Sequence, residues 1–154
     1  MAIDTSRRKD NQDLEIKFLT DKSPDQVFKA INNVRAWWSG DIVGDTDKLG
    51  LEWTYRYQDI HYSKQKIVQL DPNRKVVWQV IDSYIQFVEN KTEWTGTNII
   101  FEVKKVGDKT ELKFNHKGLV PTLACYKECA QAWKFYIRDS LRKLIITGKG
   151  RPNK

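Results

Sequence analysis

The chain has 154 residues and a formal net charge of +7, which gives enough length for one ordinary domain and too little for two. Its basic residues are interleaved with acidic ones and no nucleic-acid-binding motif accompanies them, so we expect a basic solvated surface and no nucleic-acid partner. No apolar run is long enough to span a membrane and no apolar signal segment is present, so we predict a cytoplasmic protein without a membrane span.

The beginning of the chain predicts a tail, a strand and then two short helices. Residues 1–12 are polar and indicate a flexible tail ahead of a single domain over residues 13–152. Residues 14–20 (LEIKFLT) alternate between apolar and polar side chains, as a half-buried strand does. Ser23 then precedes Pro24, a combination typical of a helix start, and apolar residues follow at helical spacing.

The middle of the chain changes to a period of two and predicts an antiparallel sheet, with turn residues such as Asp71-Pro72-Asn73 between its strands. Residues 82–97 have no clear period, and the part from residue 89 to residue 96 is loop-like and contains Trp94. The predicted strands are Asp41–Val43, Leu51–Tyr57, His61–Leu70, Val76–Ile81, Ile99–Val103 and Leu112–His116.

The end of the chain predicts one long helix, from about residue 122 to about residue 147, with a length of roughly 39 Å. Pro121 stands where a helix start favours it, and Gly148 where a helix stop does. An apolar stripe at intervals of three and four needs a broad partner surface, which the aromatic strands supply. The stripe consists of Leu123, Tyr126, Ala130, Trp133, Ile137, Leu141 and Leu144.

Together these elements predict an α+β domain of two layers, in which an antiparallel sheet packs against the long helix. If the sheet curves around the helix, the aromatic face and the apolar stripe do not meet everywhere. The gap between them would be a cavity.

Five stretches of the sequence resemble a known family in their order and spacing over residues 14–152. That family is the SRPBCC (START/Bet v 1-like) superfamily, in its branch of small bacterial proteins named after the activator of Hsp90 ATPase. The stretches are Ser-Pro-x-x-Val-Phe-x-Ala-Ile from Ser23, ending in Trp37-Trp38; Gly50 before Trp53-Thr-Tyr; Ile67-Val-Gln-Leu-Asp-Pro-Asn-Arg-Lys-Val-Val-Trp78; Thr110-Glu-Leu-Lys-Phe-Asn-His116-Lys-Gly-Leu119-Val-Pro; and Cys125-Tyr-x-x-Cys129 with Trp133, Ser140-Leu141 and Thr147-Gly-Lys-Gly-Arg-Pro152.

The resemblance implies a helix-grip fold, in which a curved antiparallel sheet grasps a long C-terminal helix over a hydrophobic cavity. Aromatic side chains on the strands and the helix stripe are the candidates for its wall, although such residues more often form an ordinary core. The residues expected to line the cavity are Trp38, Trp53, Tyr55, Trp78, Phe101, His116, Tyr126, Trp133 and Ile137.

Each of the two histidines and two cysteines could have a structural role or a functional one. We expect His116 near the cavity rim, where it would tie the strand end to the helix or contact a ligand, and His61 at the surface or the start of a strand. Cys125 and Cys129 lie four residues apart, and we expect them to pack as small apolar side chains. No motif for a metal, a cofactor or a catalytic nucleophile is present, so we predict none of these.

Three functions are consistent with the sequence. The first is a binding module for a hydrophobic small molecule, lipid-like or aromatic, held between sheet and helix. The second is an enzyme of the cyclase or dehydratase kind that uses the same cavity, with His116 as an acid or base. The third is a chaperone-interaction module or a homodimer, in which Phe135 and Ile146 form an exposed apolar patch. We favour the first.

Overall fold

The computed structural model describes residues 13–38 and 40–152. Residues 1–12, which the sequence predicts to be a flexible tail, lie outside the described residues. The strands are β1 (Leu14–Thr20), β2 (Asp41–Gly44), β3 (Glu52–Tyr57), β4 (His61–Asp71), β5 (Lys75–Ile85), β6 (Asn98–Val106) and β7 (Lys109–Lys117). The helices are α1 (Pro24–Asn32), a 3₁₀ turn (Val34–Ala36), α2 (Tyr126–Lys134), a π-helical segment (Phe135–Leu141) and α3 (Arg142–Thr147).

The seven strands form one antiparallel sheet in the order β1-β7-β6-β5-β4-β3-β2. Consecutive strands from β2 to β7 are neighbours, and β1 closes the far edge by pairing with β7, where Leu14 lies opposite His116. The β4–β5 pairing shifts register between Lys64 and Gln65 and again between Ile67 and Gln69. Such bulges bend a strand and increase its twist, so the two irregularities lie where the sheet must curve. The α+β helix-grip architecture predicted from the sequence is confirmed.

Helix α1 begins where the sequence predicts, because Ser23 and Gln26 form a reciprocal capping box. The Ser23 hydroxyl accepts from the Gln26 backbone N–H at 3.2 Å, and the Gln26 side-chain oxygen accepts from the Ser23 N–H at 3.0 Å. Val27 and Ile31 face inward and are fully buried. The two short helices predicted after the first strand are therefore confirmed as α1 and the 3₁₀ turn.

The long C-terminal helix starts at Tyr126, so the predicted start near residue 122 is wrong. The preceding residues form tight turns, with the Leu123 N–H bonded to the Val120 carbonyl and the Tyr126 N–H to the Leu123 carbonyl. The predicted stop is confirmed: Gly148 has a left-handed backbone with φ of 84°, which favours glycine after a helix. Within the described residues, no helix is long and apolar enough to cross a membrane.

The middle of this helix is π-helical, and its buried face is wider than the predicted stripe. Bonds between residues five apart widen each turn relative to an α-helix. The predicted stripe is buried at Ala130, Trp133, Ile137 and Leu141. Tyr136 and Ser140 on its flank join the buried set, and Ile145 is more buried than the predicted Leu144.

A hydrogen-bond chain fastens the π-helical segment to the rest of the fold. The Ser140 hydroxyl donates to the Trp37 carbonyl at 2.6 Å and accepts from the Arg151 N–H at 2.9 Å. The segment after the helix is therefore held against the loop that carries the tryptophan pair Trp37 and Trp38. These two rings extend the core, which lies between the concave side of the sheet and the helix.

Candidate ligand-binding site

A cavity of about 220 Å³ lies between one end of the helix and the β3–β4 end of the sheet. Five parts of the chain form its wall, namely the loop after the 3₁₀ turn, strand β3, the turn into β4, the loop before β6 and the helix. The lining residues are Trp38, Tyr55, Tyr57, Ile60, His61, Phe87, Trp94, Glu128, Cys129, Ala132, Trp133 and Tyr136.

Five of the lining side chains form a closed ring of aromatic contacts. Trp38 stacks on Tyr55 with ring centroids 4.4 Å apart, and the Tyr55 ring meets His61 edge-on at 5.3 Å. His61 meets Trp94 edge-on at 4.4 Å, Trp94 lies parallel to Trp133 at 6.1 Å, and Trp133 returns to Trp38 at 5.0 Å. Each ring is oriented by two neighbours, so the wall is formed before any ligand binds.

His61, the first residue of β4, contributes an imidazole to this circle of aromatic side chains. Burial lowers the pKa of His61 to about 4, so the imidazole is neutral at neutral pH. Its Nε2 atom is buried and has no hydrogen-bond partner among the described residues. A lining residue of this mainly apolar wall therefore carries a neutral, unpaired imidazole nitrogen.

His116 lies behind the wall and is fully buried, so the expectation that it stands at the cavity rim is wrong. Its Nδ1 accepts a hydrogen bond from the Trp133 indole N–H at 3.1 Å. Because Nδ1 is an acceptor, the proton is on Nε2, which donates to the Thr97 hydroxyl at 2.8 Å. That hydroxyl donates in turn to the Trp94 carbonyl at 2.6 Å. His116 thus joins the two parallel tryptophans of the wall to each other.

The His116 network requires a neutral ring. Burial lowers the pKa of His116 to about 3, and the nearby His61 lowers it further in the same direction. A proton on Nδ1 would replace the acceptor that the Trp133 N–H needs. The role that the structure gives His116 is therefore to position Trp133 and Trp94.

The two cysteines are buried, free thiols at the start of the helix, and Cys129 lines the cavity. The neighbouring Cys129 and burial raise the pKa of the Cys125 thiol well above its usual range, with a smaller contribution from Glu93. The Glu93 carboxylate also accepts from the Cys125 backbone N–H at 2.8 Å, and so binds the loop before β6 to the helix start. Among the described residues, no three His, Cys, Asp or Glu side chains lie together as metal ligands would.

A wider surface groove of about 680 Å³ adjoins the cavity, and Trp38 and Tyr57 line both. The Arg35 guanidinium in this groove already donates to the carbonyls of Ile42 at 3.2 Å and Gly44 at 2.8 Å. These bonds hold the edge strand β2 in place. The groove is therefore a product of the edge packing, and the aromatic cavity is the better candidate site.

The family model for the Activator of Hsp90 ATPase homolog 1-like protein matches residues 21–145. The chain belongs to this family. The resemblance seen in the sequence is thereby confirmed, and the site described above is the cavity of an Activator of Hsp90 ATPase homolog 1-like protein. No curated protein matches the chain.

Three solved structures show the same fold as this member of the Hsp90 activator-like family. The Aha1 dimer from Colwellia psychrerythraea has a TM-score of 0.72 and 24% identity, over 90% of this chain and 99% of that one. CalU16 from Micromonospora echinospora has a TM-score of 0.64 and 16% identity, over 88% of this chain and 76% of that one. The protein SSP2350 from Staphylococcus saprophyticus has a TM-score of 0.63 and 16% identity, over 91% of this chain and 96% of that one.

The cavity residues expected from the sequence separate into two groups in this family member. Trp38, Tyr55 and Trp133 lie together in the cavity wall. The other six lie outside the lining. Trp53, Trp78, Phe101 and Ile137 are fully buried in the core, His116 is behind the wall, and Tyr126 is half-buried at the start of the helix.

Several wall residues were missed because their positions depend on tertiary structure. Trp94 and Phe87 come from a stretch that has no period, and only the fold brings Trp94 parallel to Trp133. Tyr136 lies three residues after Trp133, so a helical period places it on the flank of the stripe, but the period does not show that this flank faces the cavity. His61 was expected at a strand start, which it is, but the position alone gave no sign that its ring is held between Tyr55 and Trp94.

Proposed function

We propose that this protein is a binding module for a small, flat, apolar molecule, and that the molecule occupies the cavity between the sheet and the helix. The observation that carries the proposal is the closed ring of five aromatic side chains around a preformed space of about 220 Å³. Small-molecule sites are typically concave, mainly apolar and supplied with a few polar groups. His61 and Glu128 are such groups here.

The volume favours a molecule of one or two rings over a long acyl chain. An apolar cavity of about 150 Å³ holds benzene in another protein, and drug-sized ligands need roughly 300 Å³ or more. The present cavity lies between these values. We therefore favour the aromatic ligand over the lipid-like one among the hydrophobic molecules considered from the sequence.

A titration with toluene and with naphthalene tests this proposal, with tryptophan fluorescence and amide chemical shifts as readouts. Trp38, Trp94 and Trp133 line the cavity, so a bound ring changes their emission. Ala132→Trp places an indole in the cavity and should abolish the response, whereas Gln131→Trp, on an exposed neighbouring position of the helix, should preserve it. Toluene and naphthalene responses that are equal in wild type and Ala132→Trp would refute binding in this cavity.

The cyclase or dehydratase alternative has less support from the histidines. Burial lowers the pKa of His116 to about 3 and that of His61 to about 4, away from the neutral range in which a general base works best. Both nitrogens of His116 are also engaged in hydrogen bonds inside the wall. An acid–base role would have to come from another lining residue.

The chaperone-interaction alternative is suggested by the family name, and the homodimer by the dimeric Colwellia structure. The apolar patch predicted for such contacts is smaller than expected. Ile146 is 45% exposed, but Phe135 is half-buried beneath the Arg151 guanidinium, which lies 5.8 Å from its ring centroid. A homodimer and a cytoplasmic location stay predictions, and light scattering of the purified protein measures the former.

A further inference from the structure

We propose that His61 is the polar recognition residue of the cavity, and that the ligand is a small aromatic molecule whose hydroxyl group hydrogen-bonds to His61 Nε2. This inference rests on the proposed function, since it names the chemical class of the molecule that the cavity binds. It also assigns specificity to a residue whose sequence position indicated only the start of a strand.

The cavity wall contains buried polar atoms that lack a hydrogen-bond partner among the described residues. Among the described residues, two buried side-chain nitrogens of the cavity wall have no hydrogen-bond partner, His61 Nε2 and Trp94 Nε1. The Trp94 indole interacts with the Cys125 thiol, whose sulfur is a weak acceptor. His61 has no comparable neighbour at Nε2 and is therefore the stronger candidate for a ligand contact.

The two histidines of the chain differ in their hydrogen bonds. His116 is buried for a structural purpose, and the fold supplies a hydrogen bond to each of its nitrogens. His61 is packed edge-on against two aromatic rings, which fix its plane, yet its Nε2 is left unpaired. A buried polar atom without a partner carries a desolvation penalty that a ligand hydrogen bond would remove. The contrast favours a bound molecule as the partner of His61.

The charge of the cavity wall favours a neutral polar group on the ligand. Burial keeps the imidazole neutral by lowering the pKa of His61 to about 4, so it offers no positive charge to an anion. Among the described residues, the lining contains no lysine or arginine, and its charged residue is Glu128, which would repel a carboxylate. A hydroxyl group both donates and accepts, so it pairs with Nε2 in either tautomer of the ring. The aromatic side chains of the wall then contact the apolar part of the ligand.

Phenol and toluene test the inference, because they have the same shape and differ by a hydroxyl in place of a methyl group. Dissociation constants for both are measured by isothermal titration with wild type, His61→Phe and His61→Gln. In His61→Phe, the ratio of the phenol constant to the toluene constant should rise about tenfold, which corresponds to the loss of one buried hydrogen bond. Using the ratio cancels the different hydration of the two probes.

Two further variants provide controls. His61→Gln should keep the ratio within about threefold of wild type, because its amide extends toward the position of Nε2 and both donates and accepts. Tyr62→Phe removes a hydroxyl from the adjacent residue, which is not part of the lining, and should leave the ratio unchanged. Should His61→Phe fail to fold, as judged by circular dichroism, His61→Leu serves the same comparison.

The outcomes distinguish a wrong role for His61 from a failure of the proposed binding function. If toluene binds wild type but the ratio does not change in His61→Phe, the role of His61 is wrong and the apolar binding function stands. If benzoate binds as tightly as phenol, the hydroxyl class is wrong. If neither toluene nor phenol binds wild type, the proposed function fails and the inference fails with it.

Discussion

The indole N–H of Trp133 donates to the buried Nδ1 of His116 at 3.1 Å, and this bond connects the wall of the cavity to strand β7 of the sheet. Trp133 belongs to the helix and lines the cavity, whereas His116 lies on β7 beneath it. The hydrogen bond therefore joins the two layers of the fold at the place where they separate to form the cavity. It also sets the tautomer that positions Thr97 and, through its hydroxyl, the Trp94 backbone.

Trp133→Phe should destabilise the fold more than Trp53→Phe does. Both tryptophans are almost completely buried, but within the part of the chain that the structure describes Trp53 Nε1 has no hydrogen-bond partner, whereas Trp133 donates to His116. The two substitutions remove the same atoms, and only the first leaves His116 Nδ1 unpaired. The difference in the free energy of unfolding should be about 1–2 kcal/mol, measured by urea denaturation at pH 7. Equal losses would contradict a stabilising role for this bond.

The stability of the protein should fall as the pH is lowered from about 6.5 toward 3, partly through its two histidines. Burial lowers the pKa of His116 to about 3 and that of His61 to about 4 in the folded state, below the ordinary value of 6.5. The unfolded chain therefore binds more protons between these values, and acid favours unfolding. Between pH 7 and pH 4.5 each histidine should contribute a loss of roughly 2–3 kcal/mol.

The histidine contribution is separable from that of the carboxyl groups by substitution. His61→Phe removes one titrating group, so the difference in unfolding free energy between pH 7 and pH 4.5 should shrink by roughly 2–3 kcal/mol relative to wild type. The Asp and Glu residues are the same in both proteins, and their effect cancels. An unchanged pH dependence in this variant would mean that His61 is solvated and titrates normally.

Apolar residues that recur with periods of two and of 3.6 residues predicted the strands and the first helix well, because each of these elements buries one face. Ser23 and Gln26 show this locally, since a capping box depends on neighbouring residues alone. On the C-terminal helix the buried face extends beyond the predicted stripe to Tyr136 and Ser140. Ser140 bonds to the Trp37 carbonyl and Tyr136 turns toward the cavity, and both contacts depend on distant parts of the chain.

The cavity was harder to predict than the fold, because a period identifies a buried face but does not show where that face is incompletely packed. Trp78 and Tyr55 both lie on aromatic strands, yet Trp78 is covered by Trp37 and Phe101 in the core, while Tyr55 reaches the cavity. Only the placement of the helix and of the loop that carries Trp94 distinguishes them. The family resemblance predicts that a cavity exists, and the structure shows which residues surround it.

Glu93→Ala should destabilise the protein by about 1–2 kcal/mol through the loss of a charge-assisted hydrogen bond at the helix start. The Glu93 carboxylate accepts from the Cys125 N–H at 2.8 Å, and a negative charge at this end of a helix also interacts favourably with its dipole. Glu89→Ala removes an exposed carboxylate of the same loop and is the matched control, for which we expect little change. Thermal unfolding of both variants measures the difference, and a similar effect in the two would show that the Glu93 contact contributes nothing specific.

Gly150→Ala should destabilise the protein by about 1–3 kcal/mol, because the space beside this residue is filled by backbone. A methyl group at residue 150 would collide with the Ala36 carbonyl oxygen and lie 3.2 Å from that of Ser140. Both are backbone atoms, so no rotation of a flexible side chain relieves the contact. Lys149→Ala, at an exposed neighbouring position, should leave the stability almost unchanged. Urea denaturation compares the two, and a stable Gly150→Ala variant would mean that the segment after the helix is not packed against the tryptophan loop as the structure has it.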